Sequence, residues 1–159
     1  MSPELILLVA VSPVVLASAV SDLRQLKIRN LHVLTALGLF AVLAPFMLDL
    51  DELPSRLLAA GVTFAIGFGL FALRVIGGGD AKMLPAVMLF VPAAEVVLFL
   101  RIFAVALGAV SLCALLVQRS PAFRRLGWSS VQEQRQVPVG VAIAAAVVLL
   151  ALSMSGAMG

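Results

Sequence analysis

The sequence predicts an all-α integral membrane protein with six transmembrane helices and both termini on the extracytoplasmic side. Three observations lead there. Of 159 residues, 63% are hydrophobic and 12% charged, against about 45–50% and roughly 25% in soluble domains, so too few polar groups exist to cover a water-soluble globule. The apolar residues fall into six separable segments, and the loops between them alternate in charge. A soluble enzyme, a disordered chain and a nucleic-acid-binding domain are thereby excluded. A net charge of +3 would elsewhere hint at nucleic acid, but here the basic residues sit in short loops and read as topology signals.

The segments are 3–20, 31–48, 57–76, 83–91, 96–117 and 137–158. Five approach the ~20 residues, with a range near 17–25, that a spanning helix needs. The fourth is short, yet Met83 to Val117 is too long for one span and contains Pro92, Glu95 and Arg101. A turn at Pro92–Glu95 divides it, and the fourth helix then either draws in Asp80 to Lys82 or crosses where the protein shields it. Loop 1–2 carries Arg24, Lys27 and Arg29, loop 3–4 carries Lys82 with Arg74 just before it, and loop 5–6 carries Arg119, Arg124, Arg125 and Arg135. Loop 2–3 is acidic, with Asp49, Asp51 and Glu52 against Arg56, and the 4–5 turn carries Glu95. By the positive-inside rule the basic loops are cytoplasmic; Arg101, the misfit, snorkels outward from the start of helix five. Ala17-Ser18-Ala19 has the look of a cleavage site, but no Lys or Arg precedes the first apolar run, so that run is read as a retained helix.

In such a chain the informative residues are those the bilayer penalises. Asp22 directly follows the first apolar segment, and Asp80 closes Gly77-Gly78-Gly79-Asp80 before the fourth. The topology puts both at the cytoplasmic boundary, where helices one and four can bring them face to face. Two carboxylates in one poorly solvated site share a proton, an arrangement suited to peptide hydrolysis: one takes a proton from water and the other polarises the carbonyl. The glycines permit positive φ and close backbone approach. They are expected to break helix three and to admit an extended substrate segment beside Asp80. The bland accounts are that Asp80 caps helix four and that Asp22 is an ordinary interfacial residue. Gly61, Gly67 and Gly69 suit close helix packing, and Arg74 is expected to snorkel. Cys113 reads as a small apolar residue and His32 as an interfacial one; no metal or cofactor is implied.

Gly77-Gly78-Gly79-Asp80-Ala81-Lys82 resembles the GxGD signature of the type IV prepilin peptidases, which are intramembrane aspartyl proteases. Asp22-Leu23-Arg24 followed by Ile28-Arg29-Asn30 resembles the first motif of that family, with Arg29 where Pro is usual. Pro138-Val139-Gly140 is similar to the Pro-aromatic-Gly segment opening its last helix, with Val139 for the aromatic. The resemblance implies an endopeptidase that removes a short basic leader from prepilins or pseudopilins at the cytoplasmic face of a bacterial or archaeal inner membrane. It implies Asp22 and Asp80 as catalytic, with Lys82 and Asn30 supporting and Gly77, Gly78 and Gly79 shaping substrate approach. The expected organisation is one membrane-embedded domain over 1–159, like the short branch serving tight-adherence pili, without the methyltransferase domain of longer members. Substrate identity, oligomeric state and the choice of general base are left open. The alternative is a small proton- or cation-coupled transporter with Asp22 and Asp80 binding the ion, although such carboxylates are expected nearer the bilayer midplane.

Overall fold

The computed structural model describes residues 2–25, 27–119 and 138–156. Among the described residues the elements are all helical: α1 (Pro3–Gln25), α2 (Asn30–Met47), α3 (Leu53–Ala72), α4 (Asp80–Met88), α5 (Val96–Arg119) and α6 (Val139–Gly156), with 3₁₀ turns at Leu50–Glu52 and Ala93–Glu95. Five helices are long and apolar enough to cross a membrane. The fourth is not. With nine residues, α4 rises only ~14 Å at 1.5 Å per residue. It does draw in Asp80 to Lys82, and its neighbours shield it: Met83, Ala86, Val87 and Met88 are buried, as are Leu89, Phe90 and Val91 beyond it. The arginines at 124, 125 and 135, on which part of the charge alternation rested, lie outside the described residues.

Helix α6 is the axis of the bundle. Its sequence is apolar on every side, as expected of a helix surrounded by others, and it packs chiefly against α1 and α5. Ala142, Ala144 and Ala146 let the neighbours approach, while Ile143, Val147 and Leu150 join Leu7, Leu8, Val11 and Val15 of α1 in the core. Phe40 of α2 meets Phe90 edge-on at 5.3 Å between ring centroids. By contrast α3 leans mainly on α4, and α5 on α6. Much of the remaining surface of both is bare apolar side chain, including Leu58, Val62, Ile66, Val97 and Val105, a surface suited to lipid.

Three expectations are corrected by local geometry. Asp22 does not follow the first helix; α1 runs on to Gln25, so Asp22 projects from its last turns. The glycines do not break helix three. It ends at Ala72, ahead of the glycines, where Arg74 takes a left-handed φ of 59°. There the Val75 N–H donates to the Leu70 carbonyl and the Arg74 N–H to that of Phe71, the paired bonds of a Schellman stop. Of the glycines expected to serve packing, Gly67 lies against the Ala81 backbone, whereas Gly61 and Gly69 face open space.

The far end of α4 is held by a side chain that the sequence presented as part of a solvated acidic loop. Arg56 is 1% exposed. Its guanidinium donates to Glu52 Oε2 at 2.8 and 3.2 Å and to the Leu89 carbonyl at 3.3 Å. Leu89 is the C-cap of α4, so this bond satisfies one of the carbonyls that a helix C-terminus leaves without a partner.

Candidate active site

Three stretches distant in sequence converge at one end of the bundle. The loop after α1 returns toward the glycines: a Cβ placed on Gly79 would lie 2.8 Å from Ile28 Cβ and 2.9 Å from the Ile28 carbonyl oxygen. No larger residue fits there without moving backbone. Two residues further, Asn30 Oδ1 accepts a bond of 3.4 Å from Lys82 Nζ, so the stretch after Asp22 and the stretch after Asp80 are tied twice. From the other side, the start of α6 closes over Asp22. The Gly140 N–H donates to Asp22 Oδ2 at 2.7 Å, and a Cβ on Gly140 would meet that same oxygen at 3.0 Å and Ile28 Cδ1 at 3.1 Å.

Asp22 is 4% exposed. Asp80 is half-buried, the first residue of α4, with Gly79 in the N-cap position; the account in which Asp80 merely caps the helix does not hold. The Gly77 N–H bonds to its carboxyl. Asp80 Oδ1 is buried without a hydrogen-bond partner. The two carboxyls therefore lie at the same end of the bundle, near the close approach of Ile28 to Gly79. The route between them differs from expectation, because α1 packs on α2 and α6 while α4 packs mainly on α3. Ile28 and the N-terminus of α6, rather than a direct face of α1 on α4, link the two stretches.

The remaining predicted residues are also placed. None of the glycines at 77–79 adopts positive φ; the space a side chain would need is taken at Gly77 by Asp80 Oδ2, at Gly78 by the Phe71 ring and at Gly79 by Ile28. Arg74 and Arg101 are exposed, and Cys113 is exposed on α5. His32 Nδ1 is buried and unpartnered at the start of α2. A cavity of about 660 Å³ runs between α3 and α5 with α4 along its floor. Leu58, Val62, Ile66 and Leu70 line one side, Val97, Leu100, Phe103 and Leu107 the other, and Asp80 and Val139 lie in the same lining. A second, of the same volume, lies between α2, α3 and α4 and includes Asn30 and Lys82.

Residues 9–117 match the family model of the type IV leader peptidase family. The chain belongs to that family. No curated protein and no solved structure matches the chain. Membership in the leader peptidase family marks the protein as a peptidase, implies prepilin-like substrates and disfavours the transporter alternative. Both aspartates, the three glycines, Asn30 and Lys82 lie within the matched stretch, whereas Pro138–Gly140 lies beyond it. Beyond the matched stretch the third motif is placed beside Asp22 by geometry, and the Gly140 amide is the contact that sequence reasoning missed.

Proposed function

We propose that this leader peptidase family member is an intramembrane aspartyl endopeptidase that removes the short leader of type IV prepilin-like substrates at the cytoplasmic boundary of the inner membrane. Asp22 and Asp80 are the catalytic pair. Gly79 supports the site by admitting Ile28, and Lys82 and Asn30 by tying the two motif stretches together. Gly77 and Gly78 leave room around the Asp80 carboxyl and the Phe71 ring. The chain works as one membrane-embedded unit of six crossings with both termini outside, α4 making its short crossing inside protein.

One observation supports this reading: two carboxyls far apart in sequence lie at the same end of an apolar bundle, one of them in the lining of a cavity open to an apolar partner. A pilin-like substrate offers the matching features, an apolar helix to lie along α3 and α5 and a leader junction to reach Asp80. Water for hydrolysis is activated by one carboxylate while the protonated partner polarises the peptide carbonyl. The test is cleavage of a prepilin-like peptide by the purified chain in detergent. Wild type is expected to cleave, and Asp22→Asn and Asp80→Asn to lose at least ~10³-fold in kcat while still inserting and folding. Substantial processing by either variant would remove it from the catalytic pair.

A further inference from the structure

The two aspartates differ in what holds them. Asp22 Oδ2 accepts a 2.7 Å bond from the Gly140 N–H. Gly140 is the second residue of α6, in the first turn, where a helix carries partial positive charge and amides without intrahelical acceptors. A short bond from such a donor favours the ionised carboxylate. Asp80 also accepts a backbone bond, from the Gly77 N–H, and opens α4, but its Oδ1 is buried with no donor aimed at it, and an unpaired anionic oxygen there is costly where an O–H is not. Among the described residues no charge placed against Asp22 or Asp80 reverses this contrast. Among the described residues α6 bears no ionisable side chain, Arg24 and Lys27 are exposed, Lys82 turns to Asn30, and Arg56 sits with Leu89 at the opposite end of α4.

We propose that the Gly140 amide at the N-terminus of α6 holds Asp22 as the ionised member of the pair, so that Asp22 is the base toward water and Asp80 the acid toward the peptide carbonyl. The proposal rests on the endopeptidase reading and assigns the roles within it. Asp22 takes one proton from water as the water oxygen bonds to the carbonyl carbon, and Asp80 gives its proton to the carbonyl oxygen. The proton on Asp22 then passes to the amide nitrogen, the C–N bond breaks, and a hydroxyl of the intermediate returns a proton to Asp80. The products are a free acid and a free amine, and both aspartates regain their starting states. Gly140 is a positioning residue in this scheme. A Cβ there would lie 3.0 Å from Asp22 Oδ2 and 3.1 Å from Asp22 Cβ, so any side chain pushes the carboxylate off its donor.

The chain has four aspartates, so protein labelled with ¹³C at the aspartate carboxyl gives a spectrum simple enough to assign with the Asn variants. In a pH titration of the wild-type chain in detergent, the Asp22 signal is expected to change first as pH rises and the Asp80 signal later. Gly140→Ala is expected to raise the acid limb of the kcat/KM profile by about one pH unit and to lower kcat roughly tenfold, as befits a lost charge-assisted hydrogen bond. If Asp80 ionises first, or if folded Gly140→Ala keeps the wild-type acid limb, the assignment is overturned. The titration needs neither substrate nor the Gly140 variant, so it decides the order even if that variant misfolds. Failure of the wild-type chain to cleave any pilin-like peptide would instead strike the endopeptidase reading.

Discussion

The glycines offer a graded test of the site, because the structure assigns each a different obstacle. At Gly79 an added Cβ meets Ile28 Cβ at 2.8 Å, its carbonyl oxygen at 2.9 Å and its amide nitrogen at 3.2 Å. Two of these are backbone atoms that cannot rotate away, so the α1–α2 connection must retreat, at a cost of about 1–3 kcal/mol typical of overpacking. At Gly77 the nearest atom is Asp80 Oδ2 at 2.9 Å, with Asp80 Cγ next at 3.8 Å. A side chain can swing aside, so Gly77→Ala is expected to cost under ~0.5 kcal/mol, as benign substitutions do. The carboxyl itself is displaced, however, and a misplacement of ~1 Å can cost about 10²-fold in rate. At Gly108, within α5, nothing lies within 4 Å, and Ala there is expected to stabilise by about 0.5–1 kcal/mol. Unfolding in mixed detergent micelles, paired with cleavage of a pilin-like peptide, separates the three. The expected pattern is Gly79→Ala unstable, Gly77→Ala stable but slow, and Gly108→Ala stable and active. A Gly77→Ala variant with wild-type kcat, or a Gly79→Ala variant as stable as wild type, would refute the packing from which these values were worked.

Two further outcomes follow from the two ends of α4. Glu52→Gln leaves the buried Arg56 guanidinium without its charged partner and is expected to cost about 1–3 kcal/mol, discounted because the Glu52 side chain is 40% exposed; the double variant Glu52→Gln/Arg56→Met should lie within about 1 kcal/mol of wild type, and a double variant worse than the single would contradict the strut. At the other end, Asp80 Oδ1 is buried without a donor, so removing the charge with Asp80→Asn is expected to leave the fold at least as stable as wild type in the same unfolding assay.

What the sequence made legible was what the bilayer makes expensive. Charged residues at the edges of apolar runs are few, so Asp22 and Asp80 stood out before any geometry existed, and the glycines beside Asp80 marked a close approach. The five long helices were equally plain, since ~20 apolar residues have few other uses. Boundaries were less so. Helix three was expected from 57 but begins at Leu53, with Pro54 in its first turn, a start signal hidden by the charges around it. Its end was assigned to the glycines because Gly ordinarily supplies the left-handed residue of a helix stop, yet Arg74 takes that conformation here.

The two groups that escaped notice share a cause. Arg56 stood beside three acids in an acidic loop; only the fold reveals that the α4 C-terminus arrives over it and turns a loop charge into a buried tie. The Gly140 donor is a backbone amide, which every residue but proline possesses, and it acts on a partner 118 positions away. Neither composition nor spacing distinguishes that amide from any other. What distinguishes it is the absence of a Cβ where Asp22 and Ile28 press in, and the start of a helix at that point. A motif of small residues at the opening of a last helix is therefore best read by asking what must approach it. In this chain the answer is a carboxylate from the first helix, received by the start of α6 while Ile28 folds back against Gly79.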